Sequence, residues 1–192
     1  MGKKKNREML FWTKEEYLKF AEVMMDKPLS YYAFEMLYWC GIREGELLAL
    51  TPSDFDFEKG TVSITKSYQR LNGRDLITTP KTEKSNRVIR MPKFLVQEIQ
   101  DYLKMLYGIG PEDRMFQVTK SYLYREMKRG SKEAGVKCIR VHDIRHSAVS
   151  LLIDMGFSAT AIADRVGHES IEITYMRTCS RPGKLRWQTN WM

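Results

Sequence analysis

Val141-His142-Asp143-Ile144-Arg145-His146-Ser147 places three side chains able to carry positive charge within one helical turn, at the head of an apolar run. His142 and Arg145 stand three positions apart and His142 and His146 four, so on a helix all three share a face. Ala148, Val149, Leu151, Leu152 and Ile153 supply the opposite, buried face, and Gly156 ends the element. The cations are therefore expected on a rigid support. An arginine beside a histidine at a helix start suits a phosphate: the guanidinium offers a planar fork of donors, and the helix end adds amide donors and a favourable dipole. Taken alone, the triplet fits a solvated basic helix edge better, so the rest of the chain must decide.

A length of 192 residues allows one large domain, or a domain plus an appendage, with a sizeable core. Its 43% hydrophobic and 11% aromatic content excludes a disordered chain. No apolar run approaches membrane-spanning length, and Lys3-Lys4-Lys5 precedes no signal-type stretch, so a cytoplasmic protein is expected. Cys40, Cys138 and Cys179 are far apart and form no paired spacing, which argues against a disulfide framework or a zinc site; no cofactor or metal is expected. The net charge of +8 sits at the ends, with +4 on residues 1–14 and +4 on residues 176–192, and none on the body between. Charge therefore permits nucleic-acid binding without arguing for it.

Thr13-Lys14-Glu15-Glu16 has the pattern of a capping box, and Tyr17, Phe20, Ala21 and Met24 follow at helical spacing. Tyr31 to Cys40 is apolar almost all round, a buried helix stopped by Gly41. Arg43 emerges at the next junction, with Glu46 three residues on; the pair reads either as a carboxylate buttressing a functional guanidinium or as an ordinary surface ion pair. After Pro52 the period shortens. Phe55, Phe57, Val62, Ile64, Leu76, Ile77, Val88 and Ile89 lie in short β-favouring stretches with Asn72-Gly73 among the turns between them. Lys81 sits beside the last of those turns, where a lysine is either a solvated edge device or a mobile proton donor reaching into a groove. Helices are expected over Leu95–Leu106 and from about residue 119 to Ala134, the latter with Lys120, Arg125, Lys128, Arg129 and Lys132 placed either toward a DNA backbone or toward solvent. Ser158 caps a short helix ending at Gly167, His168 follows it, and Ser170 starts a further turn or two. The fold class is mixed α+β, mainly helical, with a small antiparallel sheet over residues 54–91 flanked by helices.

Four stations now stand in order: Gly41-Ile42-Arg43-Glu44-Gly45-Glu46-Leu47; Thr79-Pro80-Lys81-Thr82 with Ser85 and Arg87; His142-Asp143-Ile144-Arg145-His146-Ser147; and Val166-Gly167-His168. Together, over about Phe11 to Tyr175, they resemble the catalytic domain of tyrosine recombinases, the integrases of phages and integrative elements. The resemblance implies that Arg43 and Arg145 clamp the non-bridging oxygens of the scissile phosphate, that Lys81 protonates the leaving 5′-oxygen, and that His142 and His168 supply hydrogen bonds and proton handling. It implies double-stranded DNA as partner, a recombination synapse of four subunits, and a 3′-phosphotyrosyl intermediate. Phosphoryl-transfer chemistry agrees, since fixed cationic donors lower the barrier where negative charge builds on oxygen. No carboxylate cluster in the sequence looks suited to magnesium.

The chain departs from that pattern at both ends. Counted on from His168, the nucleophile position falls on Arg177, and no tyrosine follows it; Tyr175 is two residues early, about 200° away around a helix. Residues 176–192 form an atypical tail. Ordinary codons for Tyr175 to Pro182, read from the third base of the first, spell Tyr-Ala-His-Leu-Phe-Pro-Ser, which looks like the family's nucleophile segment, so a frameshift after Tyr175 is the expectation. At the other end, residues 1–10 read as a linker or cut end, as in a catalytic domain excised from a longer recombinase. The sequence thus reads as a strand-cleaving and rejoining domain impaired by loss of its nucleophile, or as a DNA-binding remnant without catalysis. A helical transcription regulator is a third reading, which lacks a convincing base-reading helix.

Overall fold

The Thr13 hydroxyl accepts a hydrogen bond from the Glu16 amide at 3.3 Å while the Glu16 carboxylate accepts one from the Thr13 amide at 2.8 Å, so the first helix starts where its capping box is written. The structure, a computed structural model, describes residues 10–79 and 86–167. Helix α1 (Lys14–Met24) buries Tyr17, Phe20, Ala21 and Met24 against α2 (Pro28–Cys40), whose largely apolar surface makes it the central helix. Just before α1, Trp12 ties the chain to its far end: its amide donates to the Ser147 hydroxyl at 2.9 Å and its indole N–H to the Lys137 carbonyl at 2.8 Å.

Gly41 ends α2 in the left-handed conformation, φ +63°, and a Cβ there would lie 3.2 Å from Val166 Cγ1 and 3.4 Å from Ala148 Cβ. Glycine is required twice over, by the backbone and by the close approach of Ala148 and Val166 from later in the chain. The short α3 (Glu44–Leu47) follows at once.

The β region differs from the single sheet expected. Strands β1 (Phe55–Asp56), β2 (Thr61–Ile64) and β5 (Arg87–Arg90) form one antiparallel sheet in that order, whereas β3 (Ser67–Leu71) and β4 (Arg74–Thr78), among the described residues, pair only with each other. Their hairpin turns at Asn72 (φ 50°) and Gly73 (φ 78°), both left-handed as a tight two-residue turn demands. Leu71, Leu76 and Ile77 face solvent, so apolar content alone did not reveal that this hairpin leaves the core sheet.

Helices α4 (Lys93–Met105) and α5 (Lys120–Glu133) cover the core from either side, α4 against α2 and α5 against α1. A 3₁₀ turn over Val141–Asp143 leads into α6 (Ile144–Asp154), and α7 (Ala159–Val166), capped by the Ser158 hydroxyl, packs on α6 and on β5. The ends of α2 and α7 and the beginning of α6 meet at one place. Among the described residues no helix is long and apolar enough to cross a membrane.

Candidate active site

That meeting point is built from arginines. Arg43 caps the start of α3, in extended backbone, and its guanidinium donates to Glu46 Oε1 at 2.8 Å and to the Gly167 carbonyl at 2.9 Å. Arg145, in the first turn of α6, donates to the Gly41 carbonyl at 2.7 Å and to the Val166 carbonyl. Two guanidinium groups from distant parts of the chain thus hold the carbonyl ends of α2 and α7, where helix dipoles favour cations. A guanidinium has five donors, so these bonds leave N–H groups to spare. Arg43 presents 39% of its side chain to solvent, whereas Arg145 is only 3% exposed.

Glu46 is far more than a surface partner. It is 4% exposed, and its two oxygens accept from the Arg43 amide (2.8 Å), the Arg43 guanidinium, and both terminal nitrogens of Arg87 (3.1 and 2.7 Å). Burial raises its pKa, but the Arg87 and Arg43 bonds outweigh it and hold the carboxyl below the usual range. The pair is therefore part of a buried network and not an ordinary surface ion pair.

Positive charge exceeds negative here. Burial, Arg43 and Arg87 push Arg145 down to about 9, against the opposing pull of Glu46. Among the described residues three guanidinium groups face one carboxylate, and an anion entering the pocket would relieve the imbalance. His142 opens to solvent from the 3₁₀ turn, one element before the helix that carries Arg145, so it does not ride the same helical face as expected. Partial burial and then Arg145 lower its pKa, which leaves the imidazole neutral at pH 7, a hydrogen-bonding group more than a cation. His146, expected on the exposed cationic face, is instead 6% exposed, with its ring edge-on to His142 at 5.6 Å between centroids.

Arg43, Arg145 and His142 thus come together, while Lys81, His168 and Tyr175 lie outside the described residues, as do Ser85 and the turn expected from Ser170. Among the described residues no three His, Cys, Asp or Glu side chains gather as a metal site. On α5, Arg129 is committed to Asp26, Glu126 and Glu133 at 2.8–3.0 Å, which removes it from the candidate DNA contacts. Sequence reading gave Arg87 no role. The available signal was strand alternation, which puts Arg87 on the same face as the buried Ile89 and so turns an arginine inward.

Comparison with known proteins decides the ancestry. A family model, that of the phage integrase family, matches residues 11–178. The chain belongs to the phage integrase family. The ICEBs1 integrase of Bacillus subtilis (strain 168) is 33% identical over 182 residues, which cover 88% of this chain and 50% of that protein. A putative prophage phiRv2 integrase of Mycobacterium tuberculosis (strain ATCC 25618 / H37Rv) is 30% identical over 152 residues, 74% of this chain and 40% of the relative. This phage-integrase chain therefore spans half or less of the length of those relatives. Among solved structures, the Tn1549 transposon integrase in complex with a circular intermediate DNA is similar with a TM-score of 0.79 at 22% identity, covering 92% of this chain and 63% of that one. XerA recombinase is similar with a TM-score of 0.73 at 21% identity, covering 93% and 61%. The fold is that of a tyrosine recombinase catalytic domain, mainly helical with small antiparallel sheets.

Proposed function

We propose that this chain is the strand-cleaving and rejoining domain of a site-specific DNA recombinase, with its phosphate-binding machinery kept and its nucleophile lost. Arg43 and Arg145 hold the two non-bridging oxygens of one phosphodiester; His142 and His168 hydrogen bond around the same phosphate, and Lys81 donates the proton to the leaving 5′-oxygen. In the complete reaction of such a domain the phosphorus–5′-oxygen bond breaks as a bond forms to a tyrosine oxygen, whose phenolic proton passes to a neighbouring base or to water; this chain carries Arg177 where that tyrosine is expected. The supporting observation is the surplus of guanidinium over carboxylate where Arg43, Arg145 and Arg87 meet Glu46. Donors fixed before substrate arrives need no reorganisation as charge develops. Duplex DNA as partner agrees with the DNA-bound Tn1549 transposon integrase, whose fold this chain shares. Residues 11–175 serve as the catalytic domain, and assembly into a four-subunit synapse is weakened by the atypical segment from residue 176.

A non-catalytic DNA-binding remnant is the second reading, favoured by Arg177 standing where the nucleophilic tyrosine is expected. A nicked suicide duplex, which traps a covalent protein–DNA adduct, separates the possibilities. The chain itself should give no adduct, and Arg177→Tyr should give one that disappears again with Arg145→Ala. An adduct formed by the unaltered chain and abolished by Tyr175→Phe would show that the nucleophile had never been lost. Failure of Arg177→Tyr to gain an adduct would favour the remnant.

A further inference from the structure

Arg87 lies at the start of β5 with its side chain only 6% exposed. Its two terminal nitrogens grip both oxygens of Glu46, and its Nε donates to the Arg165 carbonyl at 2.9 Å, in the last turn of α7. Gly167 seats directly against it: a Cβ there would lie 3.2 Å from an Arg87 terminal nitrogen and 3.4 Å from its Cζ. One guanidinium therefore joins three pieces of the site. It touches the carboxylate that orients Arg43, the helix end whose Gly167 carbonyl also receives Arg43, and the strand that follows the segment carrying Lys81.

We infer that Arg87 is a positioning residue of the phosphate clamp, acting on the scissile phosphate through Glu46 and Arg43. The inference rests on the clamp role proposed above for Arg43. Without Arg87, Glu46 would retain two donors, both from Arg43, and its full charge would draw that guanidinium inward. With Arg87 in place the carboxylate is already neutralised, so Glu46 fixes the direction of Arg43 without competing with a phosphate for it. A bidentate fork is needed for this; an ammonium would supply charge but neither the second oxygen contact nor the Nε bond to α7.

The test is a mutant cycle on the full chain, read by fluorescence anisotropy of a short labelled duplex at low salt. Arg87→Lys keeps the charge and stem in the buried slot; Arg87→Ala serves as the second variant, and circular dichroism establishes that each is folded at the assay temperature. Arg43→Ala should weaken binding by about tenfold or more, the worth of one charge-assisted contact. Arg87→Lys should weaken it by about fivefold in the parent chain, yet by less than about twofold when Arg43 is already alanine, because residues acting through one contact do not add. Equal losses in both backgrounds would overturn the inference and leave Arg87 a brace for the fold. No loss with Arg43→Ala would instead overturn the clamp reading itself.

Discussion

Replacing Glu46 by glutamine should expose how much of the site's order depends on one buried carboxylate. The side chain accepts four hydrogen bonds, two on each oxygen, from Arg43 and Arg87. Whichever oxygen becomes an amide NH₂ faces two donors with a donor, and both guanidinium groups lose their counter-charge. Breaking a buried ion pair on one side costs about 3–5 kcal/mol. For a chain of this length about 2–4 °C of melting temperature accompanies each kcal/mol, so Glu46→Gln should melt roughly 6–20 °C lower in low salt at pH 7. The sign of the pH dependence follows from the depressed carboxyl. Its contribution is fully present above the ordinary 4.5 and is lost as pH falls through the lower folded value. The gap between the two proteins should therefore be widest at neutral pH and close in acid. A melting temperature within about 2 °C of the parent at pH 7 would refute the reasoning, since it would make the network worth less than ~1 kcal/mol.

Glu35 should behave in the opposite sense: buried on α2, it accepts from the Tyr17 hydroxyl at 2.5 Å and the Trp39 indole at 2.7 Å, and burial, aided by Glu98, raises it to about 7. A raised carboxyl gives stability that is full below its ordinary 4.5 and is lost as pH rises through 7, about 3 kcal/mol in all. Urea unfolding of parent and Glu35→Gln should thus diverge between pH 4.5 and 8, with the variant gaining on the parent; a constant difference would contradict this. Gly130 on α5 has no room for a methyl group, because a Cβ would lie 2.3 Å from Met24 Cε and 2.7 Å from Phe20 Cε2. Gly130→Ala should cost about 1–3 kcal/mol of unfolding free energy through overpacking, and a stabilised variant would show that α1 and α5 do not pack this closely.

Much of this architecture was legible in the letters. The Thr13 and Ser158 caps, the glycine stop after Cys40 and the apolar faces of α2 and α4 follow from local chemistry, which a sequence states directly. The β3–β4 hairpin was legible as strands but not as a separate sheet, because pairing partners are chosen by tertiary packing and Leu76 and Ile77 carry the same β-propensity whether covered or bare. Within the site, Arg43 and Arg145 were recognisable by their order along the chain, and Glu46 by its spacing from Arg43. Arg87 stood in the second of the four stations but its role was not legible, since its partners Glu46 and Arg165 lie on other elements and no spacing rule connects them. His146 misled for a related reason: shared helical phase with His142 does not say which side of the helix the core will cover.

The central claim is that two guanidinium groups, from the start of α3 and the first turn of α6, grip a single phosphodiester. A crystal structure of the chain on duplex DNA measures this most directly. One phosphate should lie within hydrogen-bond reach of both Arg43 and Arg145, with Glu46 still held by Arg87 behind them. Guanidinium groups resting on different phosphates, or Arg145 sealed behind the Gly41 and Val166 carbonyls with no phosphate before it, would contradict it.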